Sequence, residues 1–136
     1  IAHAKEIENA RAPGAEAAGF LRADWDHGQP MEAVTAQKDV FGDGRIVVVP
    51  LPGHTEGTIG ATVNLDSGSS FLLASDSVSL RQNLDENSAP RNTWNADALL
   101  KSYDEIRKIE KAGATVICGH DDAQWRSLRK GADFYV

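Results

Sequence analysis

The chain has 136 residues, 41% of them apolar and 25% charged, with a net charge of −6 and one cysteine. That composition suits a folded domain with a core of its own. The acidic balance, with no basic cluster longer than Arg129-Lys130, argues against nucleic acid, whose binding rests on phosphate neutralisation; no apolar run is long enough to span a bilayer, and the lone Cys118 excludes an internal disulfide.

The chain opens on Ile1 without a basic region followed by an apolar stretch. It reads as neither a native start nor a signal peptide, so sequence upstream is expected. Ile1 to Arg11 places Ile1, Ala4, Ile7 and Ala10 at helical spacing, which predicts a short helix behind a strand stub and before Pro13-Gly14. Ala15 to Trp25 is alanine-rich and predicts a second helix, broken by Asp26-His27-Gly28. Glu32 to Val40 alternates weakly, as a strand would. Phe41-Gly42-Asp43-Gly44 is a turn.

Stronger signals follow. Arg45 to Leu51 is β-branched and apolar, the pattern of a buried strand. Ala61 to Leu65 alternates, Asp66 to Ser69 turns, and Ser70 to Ala74 is a second buried strand. Leu80 to Trp94 is polar and reads as a long loop. From Asn95, a suitable N-cap, residues Ala96, Leu99, Leu100, Tyr103, Ile106 and Ile109 keep the helical period up to Gly113. Ala114 to Cys118 is a short strand. Asp121 or Asp122 caps a last helix with Trp125 and Leu128, ended by Gly131. The order predicts an α/β domain in which helices cover a mixed sheet, with residues 1–136 forming one unit.

Three metal-compatible residues each lie just past an apolar strand: His54 after RIVVVPL, Asp76 after SFLLA, and His120 after ATVIC. If these strands run the same way, the three side chains meet at one sheet edge, where open α/β sheets place their sites. Imidazole and carboxylate are donors for zinc and similar divalent ions. Each residue also has an ordinary reading: His54 as a surface histidine, Asp76 as a turn residue, and His120 with Asp121 and Asp122 as a capping cluster. His3 and His27 end no buried strand and are expected to be solvated. Trp94 is the tryptophan most suited to a pocket, and Cys118 is expected to behave as a small buried hydrophobe.

Pro52-Gly53-His54-Thr55-Glu56-Gly57, Leu72-Leu73-Ala74-Ser75-Asp76 and Ile117-Cys118-Gly119-His120-Asp121 resemble, in this order, three metal-binding segments of the metallo-β-lactamase superfamily. Within it the chain is most similar to the N-acyl homoserine lactonase group. The resemblance implies the C-terminal half of a metallo-β-lactamase-like αβ/βα sandwich. It also implies that His54 binds a first zinc, Asp76 bridges two zincs and His120 binds the second. Asp121 and Ser75 would orient these ligands. A hydroxide held by the metals would open a lactone or related ester.

Three departures stand out. The family's His-x-His-x-Asp-His motif is absent, since the histidines are His3, His27, His54 and His120. Thr58 stands where many relatives have a further histidine. Ser79 stands where the lactonases carry a tyrosine near the substrate carbonyl. The chain alone is therefore expected to be inactive, and its partner to be the missing N-terminal half or a second copy. The parent would be a cytoplasmic lactonase or, as a variant, a thioester hydrolase of the glyoxalase II kind. A reading of another class is a non-catalytic half-domain acting as an assembly unit.

Overall fold

A computed structural model describes residues 1–136. Its centre is a five-stranded mixed sheet in the order β3-β4-β5-β6-β7. These strands are β3 (Lys38–Asp39), β4 (Ile46–Pro50), β5 (Ile59–Asn64), β6 (Ser70–Leu73) and β7 (Thr115–Ile117). β4, β5 and β6 form an antiparallel meander, and β7 pairs parallel with β6. Two reversals make β4 parallel in sense to β6, so β4, β6 and β7 all point the same way. Their carboxyl ends share one edge.

The parallel step needs a crossover, which α4 (Ala96–Lys111) supplies. Asn95 accepts from the Ala98 amide at 3.0 Å and caps it. Its buried residues, Leu99, Ser102, Tyr103 and Ile106, recur at the spacing that makes one helix face. That face meets Val49, Leu72 and Val116 of the sheet, with Leu51, Ala74, Val78 and Leu84 completing the core. Full burial of a residue such as Ile106 contributes about 1.5–3 kcal/mol.

The other sheet face is set by register. Val48, Ala61, Leu73 and Ile117 lie side by side, as do Ile46, Val63 and Phe71. This apolar face is only partly covered. Tyr135 packs edge-on against Phe71 at 4.8 Å, while Leu73 remains 46% exposed.

The first 44 residues depart most from expectation. The strand stub and helix are present as β1 (Ala2–His3) and α1 (Ala4–Arg11). The second helix is not continuous. A 3-10 turn over Ala15–Ala18 stops at Gly19, whose φ of 93° no right-handed helix accepts, and a single turn, α2 (Arg22–Trp25), follows. The strand expected over Glu32 to Val40 is two short pieces. β2 (Ala33–Val34) pairs parallel with β1, and β3 joins the main sheet. Asp39 organises the intervening turn to β4 by accepting from the amides of Phe41, Gly42 and Gly44.

The expected loop from Leu80 to Trp94 contains α3 (Arg81–Asp85), anchored by the buried Leu84 and by an Arg81–Glu110 ion pair to α4. The last helix, α5 (Asp122–Ser127), ends before Leu128 and Gly131. No helix is long and apolar enough to cross a membrane.

Candidate metal centre

His54, Asp76 and His120 follow β4, β6 and β7, the three strands that share a direction, and so sit at one edge of the sheet. The His54 loop is held carbonyl by carbonyl. Leu51 O accepts from the Ser77 hydroxyl at 2.8 Å, and Pro52 O from the Ser102 hydroxyl at 2.7 Å. Gly53 O and His54 O accept from the amides of Asn95 and Trp94, both at 3.0 Å. Each anchor comes from the turn after β6, from α4 or from the two residues just before α4. Gly53 permits the close seating of α4: at φ 145°, an added Cβ would lie 2.4 Å from the Leu99 Cα.

Asp76 lies in a 3-10 turn over Ser75–Ser77, directly after β6. Ser75 enters it at φ 51°, an uncommon conformation for a residue with a side chain. The loop after β7 docks onto this turn. Gly119 N donates to Val78 O and His120 N to Ser79 O, each at 2.9 Å. The two loops thereby bring His120 Nε2 to 2.7 Å from Asp76 Oδ1. Ser79 lies beside the His120 backbone.

His54 does not join the Asp76–His120 contact. It lines, together with Asp76, Ser75 and Thr58, a depression of about 460 Å³. No three His, Cys, Asp or Glu residues are gathered around one point. Asp76 touches His120 and lines the same hollow as His54. A donor set of two imidazoles and a carboxylate fits divalent cations chemically, two donors at a time.

Asp121 is fully occupied by backbone. Oδ1 accepts from Gln124 N and Oδ2 from Arg81 N, both at 2.9 Å. These bonds cap α5, join it to α3 and hold the Asp121 carboxyl below its ordinary range. Cys118, half-buried between Ile117 and the loop that carries His120, has its thiol pushed up to about 11 by burial. Trp94 is 56% exposed and lines, with His54 and Phe20, an adjoining depression of about 530 Å³.

Two residues near the site had no signal in the sequence. His3, expected to be solvated, caps α1 by accepting from the Lys5 amide at 3.2 Å and lines the same depression as His54 and Asp76. Glu6 reaches the His54 loop directly. Glu6 depends on bonds to residues 49 and 51 positions away, which leave no local spacing to read.

No protein-family profile matches the chain. Its sequence is 30% identical over 123 residues to the N-acyl homoserine lactonase AttM of Rhizobium johnstonii, covering 86% of the chain and 47% of that protein. Its fold superposes on a quorum-quenching N-acyl homoserine lactone lactonase with a TM-score of 0.86, at 18% identity, over 99% of the chain and 54% of that structure. The chain has the metallo-β-lactamase-like fold of the N-acyl homoserine lactonases. A further structure of an N-acyl homoserine lactone hydrolase, with N-hexanoyl-L-homoserine bound at its catalytic metal centre, aligns with a TM-score of 0.82 at 18% identity over 95% of the chain. The chain spans about half the length of these relatives. The expected αβ/βα half-sandwich is thus the fold observed.

Proposed function

We propose that this chain is the C-terminal half-domain of a metal-dependent hydrolase that opens N-acyl homoserine lactones or related esters. The observation that carries the proposal is the 2.7 Å contact between Asp76 and His120, with His54 across the same hollow, in the fold of the lactonases. In this reading His54 and Asp76 hold one zinc ion, and Asp76 and His120 hold a second. The remaining ligands come from sequence outside this chain. Bound there, the metal pair would lower the pKa of water and polarise a substrate carbonyl.

The chain's own contribution is placement. Ser77, Ser102, Asn95 and Trp94 hold the His54 backbone, Asp121 holds the loop that carries His120, and Ser75 sets the turn that carries Asp76. Without the missing ligands the chain alone is expected to be inactive. The partner would be the missing N-terminal half, docked on the sheet face that carries Leu73, and the compartment the cytoplasm.

Ser79 favours a second reading for the substrate. It lacks the phenol that lactonases present to the carbonyl, which keeps a thioester hydrolase of the glyoxalase II kind in view. The exposed apolar sheet face favours a third, of another class, in which the half-domain serves assembly with a second copy.

The test combines metal content with turnover, for the chain alone and within its full-length protein, on matched lactone and thioester panels. About two zinc ions and lactone opening are expected in the full-length protein only. Metal bound without turnover of either panel defeats the hydrolase reading. Turnover of thioesters alone moves the assignment to the second reading.

A further inference from the structure

The anchors described for the His54 loop all act on its first half, from Leu51 to His54. The second half is held from the opposite side, by α1. Glu6 Oε2 accepts from the Thr55 hydroxyl at 2.6 Å and from the Gly57 amide at 3.2 Å. Around it, Asn9 donates to Glu56 at 3.3 Å and Lys5 lies 3.9 Å from Glu56. The fit is close: a Cβ at Gly57 would stand 2.4 Å from the Glu6 amide nitrogen.

An ionised carboxylate only accepts, so the single hydroxyl proton of Thr55 goes to Glu6. The Thr58 hydroxyl then has two acceptors for its single proton, the Thr55 hydroxyl at 2.8 Å and the Thr55 carbonyl oxygen at 3.3 Å, and the nearer one completes the link. Thr58 Oγ1 in turn accepts from Thr55 N at 2.8 Å. The chain of donors runs from the Thr55 amide through Thr58 and the Thr55 hydroxyl to Glu6. Thr58 is 8% exposed, while Thr55 and Glu6 are half-buried and line the same hollow as His54. One carboxyl group outside the loop thus orders the hydroxyls of Thr55 and Thr58 and holds the Gly57 amide.

We infer that Glu6, acting through Thr55, Thr58 and Gly57, is a positioning residue for His54. It clamps the far side of the loop while α4 clamps the near side. The inference rests on the proposed role of His54 as a metal ligand, and deepens it by naming what aims that ligand. Groups that orient ligands in this way commonly change metal affinity by about 10–100-fold when removed.

The experiment uses the full-length protein as wild type, Glu6→Ala, Glu6→Gln and Thr58→Val. Amide hydrogen exchange is read by NMR, and zinc affinity by chelator competition. Glu6→Ala should speed exchange at Thr55 and Gly57 at least about tenfold while Leu99 and Ser102 in α4 keep wild-type protection. It should weaken zinc binding by about tenfold or more. Glu6→Gln retains an acceptor oxygen and should restore most of both. Thr58→Val breaks the chain of donors without touching α1 and should reproduce the loop opening. A general loosening would instead accelerate exchange in α4 as well, which overturns the inference. So does wild-type exchange and zinc affinity in Glu6→Ala. If wild type takes up no zinc but Glu6→Ala still opens Thr55 and Gly57 selectively, the clamp stands and the metal reading of His54 falls.

Discussion

His120 Nε2 lies 2.7 Å from Asp76 Oδ1, joining two loops whose residues are 44 positions apart in the chain. Both side chains are largely open to solvent, at 67% and 43% exposure, so the contact adds little to stability. Its value lies in placing an imidazole and a carboxylate together at an edge that water and cations can reach.

This arrangement predicts a stoichiometry pattern. In the full-length protein, His120→Ala and His54→Ala should each lower zinc content from about two ions to about one. Asp76→Ala, which removes the shared ligand, should lower it towards zero. Folding stability should change by less than about 0.5 kcal/mol for His120→Ala, an exposed position. Metal analysis beside urea denaturation checks both halves of the prediction. Equal loss for all three variants would remove Asp76 from its shared place.

Gly53→Ala should be far more disruptive. The position combines φ 145° with a would-be Cβ contact of 2.4 Å to the Leu99 backbone. Backbone strain and overpacking together should cost about 2–4 kcal/mol. Urea denaturation measures the loss, and a near-neutral result would mean that α4 can retreat from the loop.

Ser77→Ala tests the carbonyl anchors. The Ser77 hydroxyl is 1% exposed and donates to Leu51 O at 2.8 Å. Its removal strands a buried carbonyl and should cost about 1–3 kcal/mol. Because Ser77 is adjacent to Asp76, a parallel fall in zinc affinity is expected.

A pH prediction concerns the turn before β4. The Arg45 side chain, and then the Arg45 amide, hold the Asp43 carboxyl below its ordinary range. A depressed carboxyl contributes its stabilisation above the unfolded value, near about 3.9, and loses it as pH falls through the folded value. The Arg45 amide resonance should therefore titrate with a midpoint below about 3.9. In Arg45→Ala, followed through the Asp43 carboxyl carbon, the midpoint should move up towards that figure.

The parts of the fold that were readable in advance are those with dense local patterns. β4 and β6 are continuous apolar runs, and α4 repeats its buried residues at helical spacing behind Asn95. That β4 and β6 share a sense, with β5 antiparallel between them, came from the pairing and was only a condition in the sequence. His54, Asp76 and His120 could be picked out because each ends such a strand.

The unreadable parts lacked that redundancy. Ala15 to Trp25 has helical composition, but one glycine in a left-handed conformation outweighs it. α3 has five residues and a single buried one, Leu84, too few to show a period. Glu6 gains its meaning from tertiary contacts alone, meeting Thr55 49 residues away.

The parallel pairing of β6 with β7 has a kinetic corollary. Asp76 and His120 come from opposite ends of the α4 crossover, so they meet only in molecules where that long excursion has returned to the sheet. Any spectroscopic signal of their contact therefore counts chains that have finished folding, and distinguishes them from intermediates in which the β4-β5-β6 meander has formed by itself.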